Sequence, residues 1–285
     1  MTHKLLALYG LKWNPFTADV PAEVLWIPPR LDHFLWRMEH QVREGGFALI
    51  TGDPGTGKSV SLRLLANQLA TLPDVQAGVL VRPQSGLGDF YREIGALFGV
   101  ALAPHNRWAG FKALREKWLA HIQTTRYRPV LLVDEAQEMS PPVLAELRIL
   151  ASTDFDSRAI LTVVFAGDGR LVEAFRRDTM LPIASRIRVR LNLHYLTPKE
   201  LLDWLRHVLE QAGNPNLMTP ELMTTLTEHA AGNLRMLSIM ANELLALAAR
   251  RELEQLDQKL YLEAYTQHAQ QPRAKARSQE PRARG

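Results

Sequence analysis

The stretch FALITGDPGTGKSVSLRLLANQLA, Phe47 to Ala70, restricts the fold of this chain more than any other. Its opening apolar run, Phe47 to Ile50, is bounded by Gly45-Gly46 before and Gly52 after, and fits a buried strand. From Ser59 onward, Val60, Leu62, Leu64, Leu65, Leu69 and Ala70 lay a wide apolar stripe at helical spacing, suited to lying against a sheet. Between the two stand Gly52-Asp53-Pro54-Gly55-Thr56-Gly57-Lys58-Ser59, which match G-x-x-x-x-G-K-[ST] in the strand, loop, helix context that gives the pattern meaning. The glycines let the backbone wrap closely. Loop N–H groups and the helix N-terminus then cradle phosphate, Lys58 reaches the β- and γ-phosphates, and the Ser59 hydroxyl binds Mg²⁺.

Three more apolar runs read as buried strands: Ala77 to Val81, Val130 to Val133 and Ile160 to Ala166. Helical stretches lie between them, from Leu87 to Phe98, from Trp108 to Ile122, and from Pro141-Pro142, where proline is tolerated in a first turn. Buried strands alternating with helices imply an α/β fold, a parallel sheet covered by helices on both faces. After about Arg190 the pattern becomes all helical. Thr197 and Glu200 form a capping box opening a helix through about Gln211, and Thr219-Pro220-Glu221 opens another. Gly232-Asn233 separates it from Leu234 to Arg250, and a last helix runs from about Leu256 to Ala269. The expected organisation is an α/β domain over 1–193 with an N-terminal extension over 1–40, a smaller all-α lid domain over 194–271, and a basic tail over 272–285.

Composition narrows the setting. Of 285 residues, 46% are hydrophobic and 22% charged, which excludes a disordered chain. No apolar run approaches the roughly 18 residues of a membrane helix, and the N-terminus does not resemble a secretory signal, so a cytoplasmic protein without a membrane association is expected. The absence of cysteine removes disulfides, thiolate metal sites and thiol nucleophiles together. The formal charge of +4 is unevenly spread. Arg273, Lys275, Arg277, Arg282 and Arg284 against Glu280 give the tail that whole value, leaving residues 1–271 at zero. The tail is expected to be disordered, and is either a DNA-contacting arm or a solubilising segment.

A second motif runs Val130-Leu-Leu-Val-Asp134-Glu135-Ala136-Gln137, a buried strand ending in two adjacent acids. Neighbouring residues at a strand end point differently, so Asp134 can serve the Mg²⁺ shell while Glu135 orients and polarises an attacking water. Asp168, after the strand ending at Gly167, either senses the γ-phosphate or caps the helix that follows. Arg186 follows a helix and precedes a polar/apolar alternation, where a neighbouring subunit can receive it as an arginine finger; Arg176 and Arg177 are rivals. Arg235, at a helix start, either reaches back to the γ-phosphate or is a solvated helix arginine. The nine histidines show no ligand spacing, His33 and His40 being expected to share a helix face, so no metal but Mg²⁺ is assigned. Most of the six tryptophans are expected in the core. Arg82 to Asp89, after the second strand, are the expected pore-facing contact.

Taken together, the phosphate loop, the strand-end DEAQ, an arginine near the end of the α/β part and another in the helical part resemble an AAA+ ATPase. Tyr9-Gly-Leu-Lys-Trp-Asn-Pro-Phe16, Gly46-Phe47, LLVDEAQEMSPPVLAELRIL and Leu196-Thr-Pro-Lys-Glu200 narrow the resemblance to the ExeA family, related to the transposition ATPases TniB, TnsC and MuB and more distantly to origin-recognition ATPases. The resemblance covers about residues 5–265. It implies ATP and Mg²⁺ as cofactors, Ile27-Pro28-Pro29-Arg30 near the adenine, Asp168 at the sensor-1 position where the family usually has Gln, Arg186 as finger and Arg235 as sensor 2. It also implies a homo-oligomer, ring or filament. Secretion-system ExeA proteins carry a membrane helix and a peptidoglycan-binding region after the ATPase, which this sequence does not show, and the tail is basic. The leading expectation is therefore a transposition helper that assembles with ATP on double-stranded DNA and recruits or activates a transposase. The alternatives are an ExeA-type ATPase assembling a secretion or envelope complex without DNA, and a nucleotide-gated signalling or defence switch.

Overall fold

The computed structural model describes residues 2–102, 106–155 and 157–269; the basic tail expected over 272–285 lies outside them. The chain divides into two compact units. The larger is Val20–Thr197 with Ala231–Met236. The smaller gathers the described residues up to Asp19, Pro198–Ala230, and those from Leu237 on.

In chain order, α1 (Thr2–Tyr9) belongs to the smaller unit, and the larger unit then begins. Its first elements are α2 (Pro29–Glu44), β1 (Gly46–Gly52), α3 (Lys58–Thr71), β2 (Ala77–Leu80), α4 (Leu87–Leu97), α5 (Arg107–Thr125) and β3 (Val130–Val133). There follow α6 (Pro141–Leu150), a short antiparallel pair of β4 (Ser152–Thr153) and β5 (Arg158–Ala159), β6 (Thr162–Gly167), α7 (Gly169–Phe175), α8 (Leu181–Ala184) and β7 (Ile187–Leu193). Five strands form one sheet in the order β2-β3-β6-β1-β7, every pair parallel.

Alternation along the strands builds two cores. Phe47, Leu49, Leu131, Val133, Val163 and Phe165 point to a layer holding Phe90, Ile94, Trp118 and Leu147 from α4, α5 and α6. Ala48, Ile50, Val130, Leu132, Val164 and Ala166 point the other way, to Phe34, Met38, Leu62, Leu65 and Leu69 from α2 and α3. Buried on both faces, these strands read in sequence as continuous apolar runs. β7 instead alternates buried and exposed residues, presenting Arg188 and Arg190 outward from an edge strand. Its charges protect an edge otherwise open to further pairing.

The smaller unit is helical: α1, α9 (Pro198–Ala212), α10 (Pro220–His229), α11 (Leu234–Arg250) from Leu237 onward, and α12 (Gln258–Ala269). Leu201, Leu205, Leu222, Leu226, Leu244 and Leu245 are buried in it. This division differs from the expected one at two places. Residues up to Asp19 group with the helices and not with the α/β part, because the Lys12 N–H donates to Ala212 O at 2.9 Å and the Asn214 amide donates to Tyr9 O at 2.9 Å. The first turn of α11, expected in the lid, groups with the α/β part.

The tryptophan expectation is corrected. Trp118 is fully buried, but Trp108 is 74% exposed and Trp36 is exposed between His33 and His40 at ring separations of 5.8 and 4.8 Å. Helical spacing sets which residues share a face, and it does not say which face is covered. Among the described residues no helix is long and apolar enough to cross a membrane, and no group of three or more potential metal ligands occurs.

Phe165 on the central strand is fully buried, stacked on Phe47 at 5.9 Å and tilted against Phe175 at 5.7 Å. Phe165→Ala should cost about 3–5 kcal/mol through lost burial and the cavity left behind. Urea unfolding should show this as a lower midpoint at unchanged slope.

Candidate nucleotide-binding and hydrolysis site

β1 delivers its last residue, Gly52, to the carboxyl edge of the sheet, and the loop turns there into α3. Gly55 and Gly57 have φ of 85° and 101°, values that residues with a Cβ avoid, and they let successive N–H groups face one concavity. Gly57 is the N-cap of α3, so the loop meets the positive end of a helix of 14 residues. Thr56 ties the loop back on itself, its hydroxyl donating to Asp53 O at 2.8 Å. Lys58 is only 7% exposed, and its ammonium donates to the carbonyls of Gly52 at 2.9 Å and Asp53 at 3.2 Å. An ammonium with three protons and two neutral acceptors keeps a donor and its full charge for an anion, which fits a phosphate. The Ser59 side chain is exposed at the start of the helix.

β6 lies between β1 and β3, so the loop and the acids of β3 are two strand spacings apart, about 10 Å. Asp134 accepts from the Glu135 N–H at 2.9 Å. Glu135 adopts φ 50°, ψ 40°, a left-handed conformation unusual for a residue with a side chain. Its carboxylate accepts from the Gln137 amide nitrogen, while the Gln137 amide oxygen accepts from the Asp168 N–H at 3.3 Å. One side chain thus spans the ends of β3 and β6. Gly167 leaves it room, since a Cβ there would lie 2.6 Å from the Gln137 oxygen. Asp168 caps α7, accepting from the Arg170 N–H at 2.9 Å, and pairs with the Arg170 guanidinium at 3.0 Å. Arg170 also meets Glu138 at 3.0 Å. The hydrogen bond to Asp168 is the main reason its guanidinium is held above the usual range. Asp134, Glu135 and Glu138 line a cleft of about 600 Å³ with Val79, Leu80, Val81, Pro83 and Gln84 from the end of β2.

Sequence reasoning passes over Gln137 and Asn233. Gln137 stands in the acidic motif as a spacer, and Asn233 reads as a break between helices. In the structure Asn233 accepts from the N–H groups of Arg235 at 3.0 Å and Met236 at 3.2 Å, capping α11, and its amide nitrogen donates to Pro54 O at 3.3 Å. A Cβ at Gly55 would collide with that amide. Arg235 therefore follows a capping residue bonded to the phosphate loop, with its own side chain exposed.

Arg186 lies elsewhere. It immediately precedes β7, whose first residue pairs with Phe47 and whose last pairs with Gly52. Seven residues at about 3.3 Å each put Arg186 some 20 Å from the loop of its own chain, beyond the reach of an arginine side chain. Its guanidinium donates to Pro182 O. Arg176 is paired with Glu173 at 2.6 Å, and Arg177 is exposed.

Residues 41–175 match the family model described as AAA domain. Among solved structures, Cdc6p from Pyrobaculum aerophilum superposes with a TM-score of 0.65 at 15% identity, over 85% of this chain and 67% of that one. The α/β unit has the AAA+ fold. The Aeropyrum pernix ORC1 protein, solved in complex with DNA, gives a TM-score of 0.63 at 18% identity, over 89% of this chain and 68% of that one. General secretion pathway protein A of Aeromonas hydrophila is 30% identical over 249 residues, 85% of this chain. The chain spans 44% of the length of that relative. The family match agrees with the AAA+ fold, which implies nucleotide binding.

The double role of Asn233 can be separated. Asn233→Ala should lower stability by about 1 kcal/mol through the lost cap. Asn233→Asp keeps the cap and removes the donor to Pro54, so it should unfold near the wild-type temperature yet bind a fluorescent ATP analogue about fivefold more weakly.

Proposed function

We propose that this chain is a Mg²⁺-dependent ATPase whose ATP-bound copies assemble on double-stranded DNA, as a ring or filament, and act as a transposition helper recruiting or activating a transposase. The observation that carries the ATPase reading is the meeting, at one sheet edge, of a glycine loop with a charged, under-used Lys58 and a strand-end Asp134-Glu135 whose second acid is held by Gln137. In this reading Gly52, Asp53, Pro54, Gly55, Thr56, Gly57 and Lys58 hold the phosphates, and the Ser59 hydroxyl and Asp134 carboxylate hold Mg²⁺. Bound Mg²⁺ supplies charge neutralisation at the phosphate oxygens. Glu135 takes the proton of the attacking water, and Gln137 fixes where that carboxylate stands. Asp168, bonded through its N–H to the same Gln137, registers the γ-phosphate end, and Arg235 reports it from the start of α11. Arg186, out of reach of its own loop, serves the loop of a neighbouring copy, which is why turnover would require assembly.

The DNA part of the proposal draws its support from the basic tail and from a similar fold having been solved with DNA. A second reading is favoured by one specific observation, the 30% identity to General secretion pathway protein A. In it the same ATPase cycle assembles a secretion or envelope complex, with membrane-associated partners and no DNA.

Lys58→Ala should abolish nucleotide binding. Glu135→Gln should bind ATP with turnover down about 10²- to 10⁴-fold, the usual contribution of a general base. Arg186→Ala copies, inactive alone, should regain turnover when mixed with Glu135→Gln copies, because each intact acid then meets an intact arginine from its neighbour. Failure of that mixture in a steady-state phosphate-release assay would reject Arg186 as the finger in trans. Duplex DNA should bind the ATP-loaded protein at low salt and change its ATPase rate; if it does neither, the secretion reading replaces the DNA reading.

A further inference from the structure

The amino edge of the sheet, opposite the nucleotide loop, carries a cleft of about 450 Å³ lined by Arg43, Arg126, Arg128 and Arg158 with Tyr127, Thr125 and Ile122. The four arginines come from separate places in the chain. Arg43 is in the last turn of α2 before β1, Arg126 and Arg128 are in the connection from α5 to β3, and Arg158 is in β5 before β6. Because the strands are parallel, residues preceding β1, β3 and β6 share an edge that the phosphate loop cannot reach.

Two of the four are fixed by the fold. Arg43 donates to the Tyr127 hydroxyl at 3.2 Å and stacks over its ring at 5.4 Å, and Arg128 donates to the carbonyls of Ala159 at 3.3 Å and Arg126 at 3.4 Å. Burial, and then the like charge of Arg158, hold the Arg128 guanidinium below its usual range, with Glu44 pulling the other way. The other two, Arg126 and Arg158, are exposed, and among the described residues their guanidinium groups make no hydrogen bond or ion pair. Arg126 adopts φ 69°, so the chain accepts a left-handed arginine at this position. Glu44, the neighbouring acid, is paired with Arg188 at 3.0 Å, and Arg37 donates to the Arg188 carbonyl at 2.9 Å, which extends the basic strip along the β7 edge. Residues 1–271 have no net formal charge, so this concentration is a local arrangement and not a general excess.

We propose that this arginine cleft is a second phosphate-binding site, separate from the nucleotide loop, and that its ligand is the backbone of duplex DNA. Guanidinium groups pair with phosphate oxygens in bidentate fashion, and a fixed pair beside two unengaged ones offers a preorganised site flanked by adaptable contacts. A single small anion would be satisfied by the cleft alone. Continuation of the strip to Arg188 and Arg37 suits a polyanion. The cleft would be a contact surface of the DNA-bound assembly proposed above, and the identity of the polyanion rests on that reading.

The test uses the full chain with Mg²⁺ and a slowly hydrolysed ATP analogue, and follows a labelled duplex by fluorescence anisotropy across a salt series. The double variant Arg126→Asn with Arg158→Gln keeps a side chain tolerated at positive φ and removes both unengaged charges. It should bind duplex about 10- to 100-fold more weakly and lower the slope of log affinity against log salt by about 1 to 2. Its affinity for a fluorescent ATP analogue should equal the wild type's, which confirms an intact fold. If the wild type binds duplex and the variant binds it equally with an unchanged slope, the cleft proposal is overturned while DNA binding stands. If the wild type binds no duplex, both are overturned. Tripolyphosphate at saturating ATP analogue supplies the remaining arm: a variant that loses tripolyphosphate binding but keeps duplex binding would mark a small-anion pocket and overturn the DNA assignment.

Discussion

Five strands running in one direction place every carboxyl end on one edge of the sheet and every amino end on the other, and the chemistry of this chain follows from that polarity. The phosphate loop leaves β1, the acidic pair leaves β3 and Asp168 leaves β6, so residues far apart in sequence meet at one edge because their strands are neighbours. The same polarity sends Arg186 and the arginine cleft to the opposite edge. Arg186 therefore cannot reach the phosphate loop of its own chain, and the trans role proposed for it follows from that separation.

Hydrogen bonds between loops, more than burial, set the fine geometry of the carboxyl edge. Lys58 rests on two carbonyls of its own loop, which holds a charged group at the concavity without neutralising it. Gln137 uses both ends of one amide to join Glu135 to the backbone of Asp168, so a shift of either strand end is felt at the acid proposed to activate water. Asn233 joins the start of α11 to the phosphate loop in the same manner. Each is a polar link of about 1 kcal/mol, small against the two apolar layers beneath it, yet placed where displacement of an ångström changes chemistry.

Much of the α/β unit is legible in the residues. Val130 to Val133 and Phe47 to Ile50 announce doubly buried strands by being apolar throughout, and the glycine spacing announces a phosphate loop because few other backbones need φ above zero at those positions. Residues whose roles depend on partners distant in sequence are not legible in this way. Gln137 is an ordinary glutamine until β6 brings Asp168 beside it. Proximity in sequence attaches the N-terminal segment to the α/β part, whereas its backbone hydrogen bonds go to α9 and the residues that follow it. Residue type favours the core for most of the tryptophans, and the structure leaves Trp36 and Trp108 exposed.

Short windows of the chain, through spacing and residue type, are enough to specify the local chemistry: a loop that cradles phosphate, two acids at a strand end, helices and strands in alternation, and a charge confined to the tail. Other properties exist only once the whole chain has packed. They are which strand ends lie side by side, the distance of about 20 Å between Arg186 and its own loop, and the convergence of arginines from α2, the α5–β3 connection and β5 in one cleft. Strand order depends on how apolar faces of many elements pack at once, and no single window of residues carries that information.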